Sequence, residues 1–231
     1  MGYLDLLGPS RTQSTGFTQN LMLSRAVPAI YERWWRPALG RVAKGALGPG
    51  MDGELAEARS LLALRPGIKV LDLACGTGNF TRPFARMVGP DGLAVGIDVS
   101  ETMLARAVRD TQYAGAANAA YVRGDAVELP FRDGSFDAVC CFAALHLFAD
   151  PMRSLDRITA VLAPRGAVAV FTSARMRSAP MRAIGSVAGR RSGMRVFGED
   201  EIVDALRERG FIGIRRRLAG LTQFVGGRLA E

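Results

Sequence analysis

Lysine is almost missing from this chain. Lys44 and Lys69 are the only two among 30 basic residues, so the formal charge of +8 is carried by arginine. Histidine is scarcer still, with His146 alone, and the cysteines are Cys75, Cys140 and Cys141. One imidazole and three thiols at no metal-ligand spacing argue against a zinc-type site. An odd cysteine count, with two neighbours inside an apolar run, reads as reduced thiols filling small buried volumes. Long apolar runs are missing too: "AVCCFAAL" stops at His146 and "AVAVF" at Thr172. Both fall far short of the roughly 18 to 20 residues a membrane span needs. The opening "MGYLDLLGPSRTQSTGF" has no basic stretch followed by an apolar one, so it lacks the pattern of a secretory signal. These absences predict a cytoplasmic protein with no transmembrane segment.

Apolar residues, by contrast, make up 48% of the 231, enough for the core of one ordinary to large domain. Arginine is thickest in "SARMRSAPMRAIGSVAGRRSGMRVFG" and "RERGFIGIRRRLAG". Such clusters attract nucleic acid or anionic lipid, yet no aromatics are interleaved with them as on a single-strand platform. They read as a solvated basic surface, with peripheral contact to anionic lipid left open.

Residues 1 to about 20 show little periodicity and predict a loose arm. "NLMLSRAVPAIYERWWRPALGRVAKGAL" has helical spacing broken by Pro28 and Pro37, hence two short helices bearing Tyr31, Trp34 and Trp35. Asp52 is a candidate cap for "GELAEARSLLAL". From "IKVLDLA" onward, strands and helices alternate through "NFTRPFARMV", "LAVGIDV", "ETMLARAVRDTQY" behind Ser100, "AAYVRGDA", "GSFDAVCCFA" and "PMRSLDRITAVLA" behind Asp150. A "PRG" turn leads to strand "AVAVFTS", and helix "EDEIVDALRERG" precedes strands "FIGIRRRLAG" and "LTQFVGGRLA". This alternation predicts an α/β fold, a mostly parallel sheet with helices on both faces, closed by an antiparallel hairpin at one edge. Such sheets bind ligands beyond the carboxyl ends of their strands.

That rim carries the chemistry. In "VLDLACGTGNF", Gly76 and Gly78 allow a tight turn and close approach of a ligand to the backbone, and the next helix aims free N–H groups at the same spot. Asp98 ends the second strand, twenty residues after Gly78, where a carboxylate can accept from both ribose hydroxyls. The third glycine of the dinucleotide pattern is absent, and no Gly-Lys-Ser/Thr follows, so a Walker loop is excluded. Asp72 lies inside the loop, where a pyrophosphate would be repelled and an ammonium group held. Asp125, in "GDAVELPF", can accept from an adenine amino group. Adenine, ribose and a cationic amino-acid tail together describe S-adenosyl-L-methionine; a NAD dehydrogenase is the minor alternative.

With these stretches in place, the chain resembles the class I S-adenosylmethionine-dependent methyltransferases, in the small-molecule group that includes ubiquinone and menaquinone C-methyltransferases. The matching segments are "VLDLACGTGNF", "VGIDVSETMLARA", "YVRGDAVELPFRDGSFDAV", "LHLFADPMRSLDRITAVLAPRGAVAV" and "FVGGRL", in order over about residues 66 to 231. One departure is Ala74, where the family usually has its first glycine. The resemblance implies a Rossmann-like seven-stranded sheet of order 3-2-1-4-5-7-6 with the last strand antiparallel. It also implies an N-terminal arm and helical lid over 1–52, a methyltransferase domain over 53–231, and an acceptor-site insertion at about 174–198. Asp72, Ala74, Gly76, Thr77, Gly78 and Asn79 would cradle the methionine part. Asp98, Val99 and Met103 would hold the ribose, Asp125 and Ala126 would meet the adenine, and Phe142 and Ala143 would lie near the sulfonium. Tyr31 of the lid would reach the carboxylate end.

His146, on the rim after the fourth strand, is the candidate catalytic base; the bland alternative is that it orients the start of the following helix. The methionines and isoleucine of the insertion suggest an apolar acceptor and its arginines an anionic one, which a lipid, quinone or polyketide-like small molecule satisfies. The expected product of the cofactor is S-adenosyl-L-homocysteine, and the expected assembly is a monomer or homodimer. Two other readings stand beside this one: an RNA or protein methyltransferase using the arginine clusters, and a cofactor-binding module without catalysis. Nucleic acid is the less favoured partner, because "CFAALHLF" stands where base methyltransferases carry an Asn/Asp-Pro-Pro-aromatic type motif.

Overall fold

The computed structural model describes residues 2–8, 48–175 and 195–231. A short strand β1 (Leu4–Asp5) comes first, then α1 (Met51–Leu62), β2 (Lys69–Leu73), α2 (Thr81–Val88), β3 (Leu93–Asp98), α3 (Glu101–Tyr113) and β4 (Ala119–Arg123). The second half holds β5 (Phe136–Phe142), α4 (Pro151–Val161), β6 (Leu162–Ser173), α5 (Glu201–Glu208), β7 (Phe211–Ala219) and β8 (Thr222–Leu229). The strands form one eight-stranded sheet of order β1-β4-β3-β2-β5-β6-β8-β7. All neighbours are parallel except β8, which runs antiparallel to both β6 and β7. Apart from β1, this is the order expected from the resemblance.

Alternation along the central strands explains the two cores. Val70, Ala94, Ala138 and Ala169 face α1 and α2, where Ala58, Leu62, Phe84 and Val88 cover them. Leu71, Val95, Val139 and Val170 face the opposite side, under Leu155, Ile158, Ile202 and Leu206 of α4 and α5. Buried on both faces, these strands need apolar residues at every position, which is why they read as short continuous runs. Local signals hold the helix starts: Ser100 Oγ accepts from Met103 N at 3.4 Å, and Asp150 Oδ1 accepts from Arg153 N at 3.0 Å with Pro151 at the first helical position.

Three expectations need correction. The first residues are not a loose arm throughout, because Leu4–Asp5 pairs in parallel with β4 at the sheet edge. The pairing is held by the Arg123 guanidinium, which donates to Asp5 Oδ2 at 2.9 Å and to the Gly8 carbonyl at 2.8 Å. Asp52 does not cap α1: the Gly50 carbonyl already accepts from Glu54 N at 2.9 Å, so the helix starts earlier. Asp52 sits in the first turn, where its charge complements the helix dipole. The "PRG" turn is an irregularity within β6 rather than a loop before it. Leu162 pairs with Phe136, Arg165 takes φ +63°, and regular pairing resumes at Ala167 opposite Ala138.

Strand β7 is the other edge of the sheet. It exposes Ile212 and Leu218, and its arginines are tied sideways. Arg215 donates to the Ser60 carbonyl, Arg216 pairs with Asp200 at 2.8 Å, and Arg217 with Glu57 at 2.8 Å. No helix among the described residues is long and apolar enough to cross a membrane. The expected lid over 1–52 falls mostly, and the insertion at 174–198 largely, outside the described residues.

Candidate active site

The loop after β2 is built from alternating left-handed residues. Ala74 has φ +53°, Gly76 +55° and Gly78 +74°, and the turns send Cys75 N to the Ile97 carbonyl at 3.0 Å and Gly78 N back to the Cys75 carbonyl at 2.9 Å. The two glycines serve different purposes. A Cβ on Gly76 would meet nothing within 4 Å, so that position opens outward, toward whatever the loop holds. A Cβ on Gly78 would lie 2.2 Å from Tyr121 Oη and 3.0 Å from Arg82 Nη1, so that position is closed from beneath. Arg82 also braces the loop, donating to the Thr77 carbonyl and to Asn79 Oδ1 at 3.0 Å. The Asn79 side chain therefore turns toward α2.

Where a dinucleotide fold has its third glycine, this chain has Thr81. Its hydroxyl donates to Asp72 Oδ2 at 2.6 Å, and both residues are buried. The closeness that the missing glycine would have given is supplied by Gly96 on β3. A Cβ there would lie 2.7 Å from Cys75 Sγ, 2.9 Å from Thr81 Oγ1 and 2.9 Å from Tyr121 Cδ1. Asp72 is thereby fixed beneath the loop, in register with Cys140 of β5.

Asp98 ends β3 beside this loop. Its Oδ2 accepts from Gly76 N at 2.9 Å and its Oδ1 from Ser100 N at 2.9 Å, so both oxygens are aimed by backbone N–H groups. Burial pushes its carboxyl above the ordinary range, against the pull of those bonds. Val99 follows with its carbonyl accepting from Arg123 Nε at 3.2 Å, and Met103 is buried on the first turn of α3. Asp125, just past β4, caps its own turn by accepting from Val127 N at 2.8 Å. The Ala126 carbonyl is held by Ser154 Oγ at 2.7 Å. The three acids thus stand at the ends of three adjacent strands, as the sequence predicts.

The other half of the rim lies past β5. Phe142 is buried edge-on against Phe80 and Phe224, with ring centroids 5.3 and 5.7 Å apart. Ala143 takes φ +57°, and its N–H donates to the Phe171 carbonyl at 2.8 Å. His146 Nδ1 lies 3.3 Å from Thr172 Oγ1. Gln223, opposite Thr172 in the β6–β8 register, donates through Nε2 to the Ser173 carbonyl at 3.1 Å. Its buried carboxamide oxygen has no hydrogen-bond partner among the described residues. Burial lowers the His146 imidazole to about 4, so it is neutral at pH 7. A histidine depressed below its unfolded value stabilises fully above about 6.5 and loses that contribution as pH falls toward 4. The loss is up to about 3 kcal/mol. Urea titrations of His146→Gln at pH 7 and pH 4.5 are expected to show this acid-side slope reduced by that amount.

Burial pushes all three thiols up, Cys141 to about 12, so they remain protonated and unreactive. Tyr31 lies outside the described residues. Sequence reasoning missed Arg82, Tyr121, Thr81, Gly96, Arg123 and Gln223, whose roles depend on contacts across elements. Only Gly96, a glycine inside an apolar strand, carried a local signal.

A family model described as a methyltransferase domain matches residues 70–166. Demethylmenaquinone methyltransferases of Staphylococcus aureus, strains JH9 and Newman among them, are 42% identical over 107 residues, which is 46% of this chain and 44% of theirs. The chain thus spans less than half the length of these curated relatives. Among solved structures, phosphoethanolamine N-methyltransferase 2 of Haemonchus contortus, in complex with phosphomonomethylethanolamine and S-adenosylhomocysteine, has a TM-score of 0.73 at 18% identity, covering 96% of this chain and 61% of its own. A SAM-dependent methyltransferase from Aquifex aeolicus has a TM-score of 0.62 at 20% identity, covering 88% and 98%. The [4+2]-cyclase SpnF has a TM-score of 0.68 at 18% identity, covering 90% and 96%. At these identities the likeness is one of fold, and the fold hosts more than one reaction.

Proposed function

We propose that this chain, whose residues 70–166 form a methyltransferase domain within a class I methyltransferase fold, moves a methyl group from S-adenosylmethionine to a small, apolar, hydroxyl-bearing acceptor of the quinol type. The observation that carries the reading is Asp98. A half-buried carboxylate aimed by two backbone N–H groups, beside a loop that opens at Gly76, is what a ribose diol needs. Asp72 supplies negative charge under the same loop for a cationic amino-acid tail, and Asp125 and Ala126 flank the place for adenine. When bound, S-adenosylmethionine would supply a methyl made electrophilic by its sulfonium.

The chain's own part is to bind, orient and exclude water, worth on the order of 7 to 11 kcal/mol when the reacting atoms are held in line. Phe142 and Ala143 form the apolar floor between the acids and His146. His146, with a pKa of about 4, is far from the value that best removes a proton near neutrality, so it serves as a neutral hydrogen-bonding group. The quinol class draws on the demethylmenaquinone relatives. The arginines of β7 are engaged with Ser60, Glu57, Glu199 and Asp200, which supports a solvated surface over a nucleic-acid platform.

The test is direct. Calorimetric titration with S-adenosylhomocysteine should give saturable binding. Incubation with methyl-labelled S-adenosylmethionine and a reduced short-chain demethylmenaquinone should place label in the organic extract. A protein that ignores S-adenosylhomocysteine and binds NAD refutes the reading. In the same assay His146→Gln is expected to lower kcat less than tenfold, whereas loss of a general base removes about 10²- to 10⁴-fold.

A further inference from the structure

Arg123 joins two parts of the chain that are far apart in sequence. It ends β4, in register with both Asp98 of β3 and Asp5 of β1. Its side chain is buried, and its guanidinium is engaged through Nε and Nη1 on different targets. Nε donates to the Val99 carbonyl at 3.2 Å, while Nη1 reaches Asp5 Oδ2 at 2.9 Å and the Gly8 carbonyl at 2.8 Å. The same Nη1 lies 3.1 Å from Glu101 Oε1 on the first turn of α3.

Asp5 is equally committed. Its other oxygen accepts from Leu7 N at 3.0 Å and Gly8 N at 3.1 Å, curling the chain so that the Gly8 carbonyl faces Arg123. The backbone adds a further tie, Leu6 N donating to the Arg123 carbonyl at 3.0 Å. On the rim side, Val99, Ser100 and Glu101 are the residues that immediately follow Asp98. Gly124 N donates to the Asp98 carbonyl at 3.1 Å and Ser100 N to its carboxylate, so the segment Arg123 grips is the one that aims Asp98.

We infer that Asp5 and Arg123 form a latch by which residues 2–8 hold the Asp98–Glu101 segment in its ribose-binding shape, making Arg123 a positioning residue and strand β1 part of the cofactor site. A guanidinium suits the task because its planar fork serves a carboxylate and backbone carbonyls at once, which an ammonium on a flexible stem does not. Removing Asp5 leaves Arg123 with Glu101 as its carboxylate partner, drawing it toward α3 and away from the carbonyl of Val99. The latch rests on the proposed reading of the site, and the ligand it acts on is the ribose of that cofactor.

The experiment compares two ligands on two variants. S-adenosylhomocysteine and its 2′,3′-dideoxy analogue are titrated into the wild type, Asp5→Ala and Arg123→Lys, with thermal unfolding of each protein followed in parallel. Asp5 lies on a two-residue strand at the sheet edge, so Asp5→Ala is expected to leave the core folded. The expected result is about a five- to tenfold loss of S-adenosylhomocysteine affinity in Asp5→Ala and Arg123→Lys, with the dideoxy analogue nearly unchanged. Equal losses for both ligands would mark a merely structural role, and unchanged affinity for both would remove the latch altogether; either outcome overturns the proposal. Wild-type protein that binds neither ligand refutes the reading of the site itself, an outcome distinct from the other two.

Discussion

Asp98→Ala is expected to weaken S-adenosylhomocysteine binding by about 10²- to 10³-fold. Each Asp98 oxygen already accepts one backbone N–H, from Gly76 and from Ser100 at 2.9 Å, and keeps a lone pair for a ribose hydroxyl. A hydrogen bond to a charged group is worth about 1.5–3 kcal/mol, so two of them at the lower end of that range account for about 3–4 kcal/mol of binding. Alanine also strands the two N–H groups, loosening the turn that opens at Gly76. Asp98→Asn separates these contributions, because its amide must offer N–H groups where the aspartate offers only acceptors. Calorimetry on both variants, with unfolding curves to confirm the fold, decides the matter; a loss below about fivefold would mean that the ribose lies elsewhere.

Gly78→Ala is expected to destabilise the domain by about 2–5 kcal/mol. Two terms add. A non-glycine residue at φ +74° costs about 1–2 kcal/mol in backbone strain, and forcing a methyl into a filled space costs about 1–3 kcal/mol more. The space is filled by Tyr121, whose hydroxyl would lie 2.2 Å from the new Cβ. The phenol cannot swing aside without losing Thr111 Oγ1 at 2.8 Å. Tyr121→Phe removes the offending oxygen. The double variant should therefore be about 1 kcal/mol more stable than the sum of the single effects, the backbone strain remaining. Urea unfolding of the four proteins closes the cycle; strict additivity would mean that the hydroxyl is not what closes the loop from below.

Much of this was legible in the sequence, and the reasons are local. Ser100 and the Asp150–Pro151 pair announce helix starts by chemistry that works over three residues. Short apolar runs bounded by Gly and Asp announce buried parallel strands ending at a polar rim, so the three acids could be placed on that rim without coordinates. The unread parts depend on separation. Two residues of β1 have no period to detect, and their strand exists because Arg123, more than a hundred residues later, supplies the partner. Thr81 reads as the loss of a glycine, and its bond to Asp72 becomes visible only once Gly96 is seen to give both the room. By position alone His146 reads either as a candidate base or as a residue that orients the start of the next helix. Its burial, which no neighbour in sequence discloses, is what makes the imidazole neutral and weak.

The guarded edge of β7 has a consequence for how the protein behaves in crowded solution. A sheet that ends openly offers a row of peptide groups to any other extended chain, the first step toward ordered aggregates. Three consecutive arginines, Arg215 to Arg217, place positive charge on both faces of that row. A second β7 laid alongside would meet side chains already held by Ser60, Asp200 and Glu57. Any strand that pairs with this edge, where Ile212 and Leu218 are exposed, has to accommodate those anchored arginines.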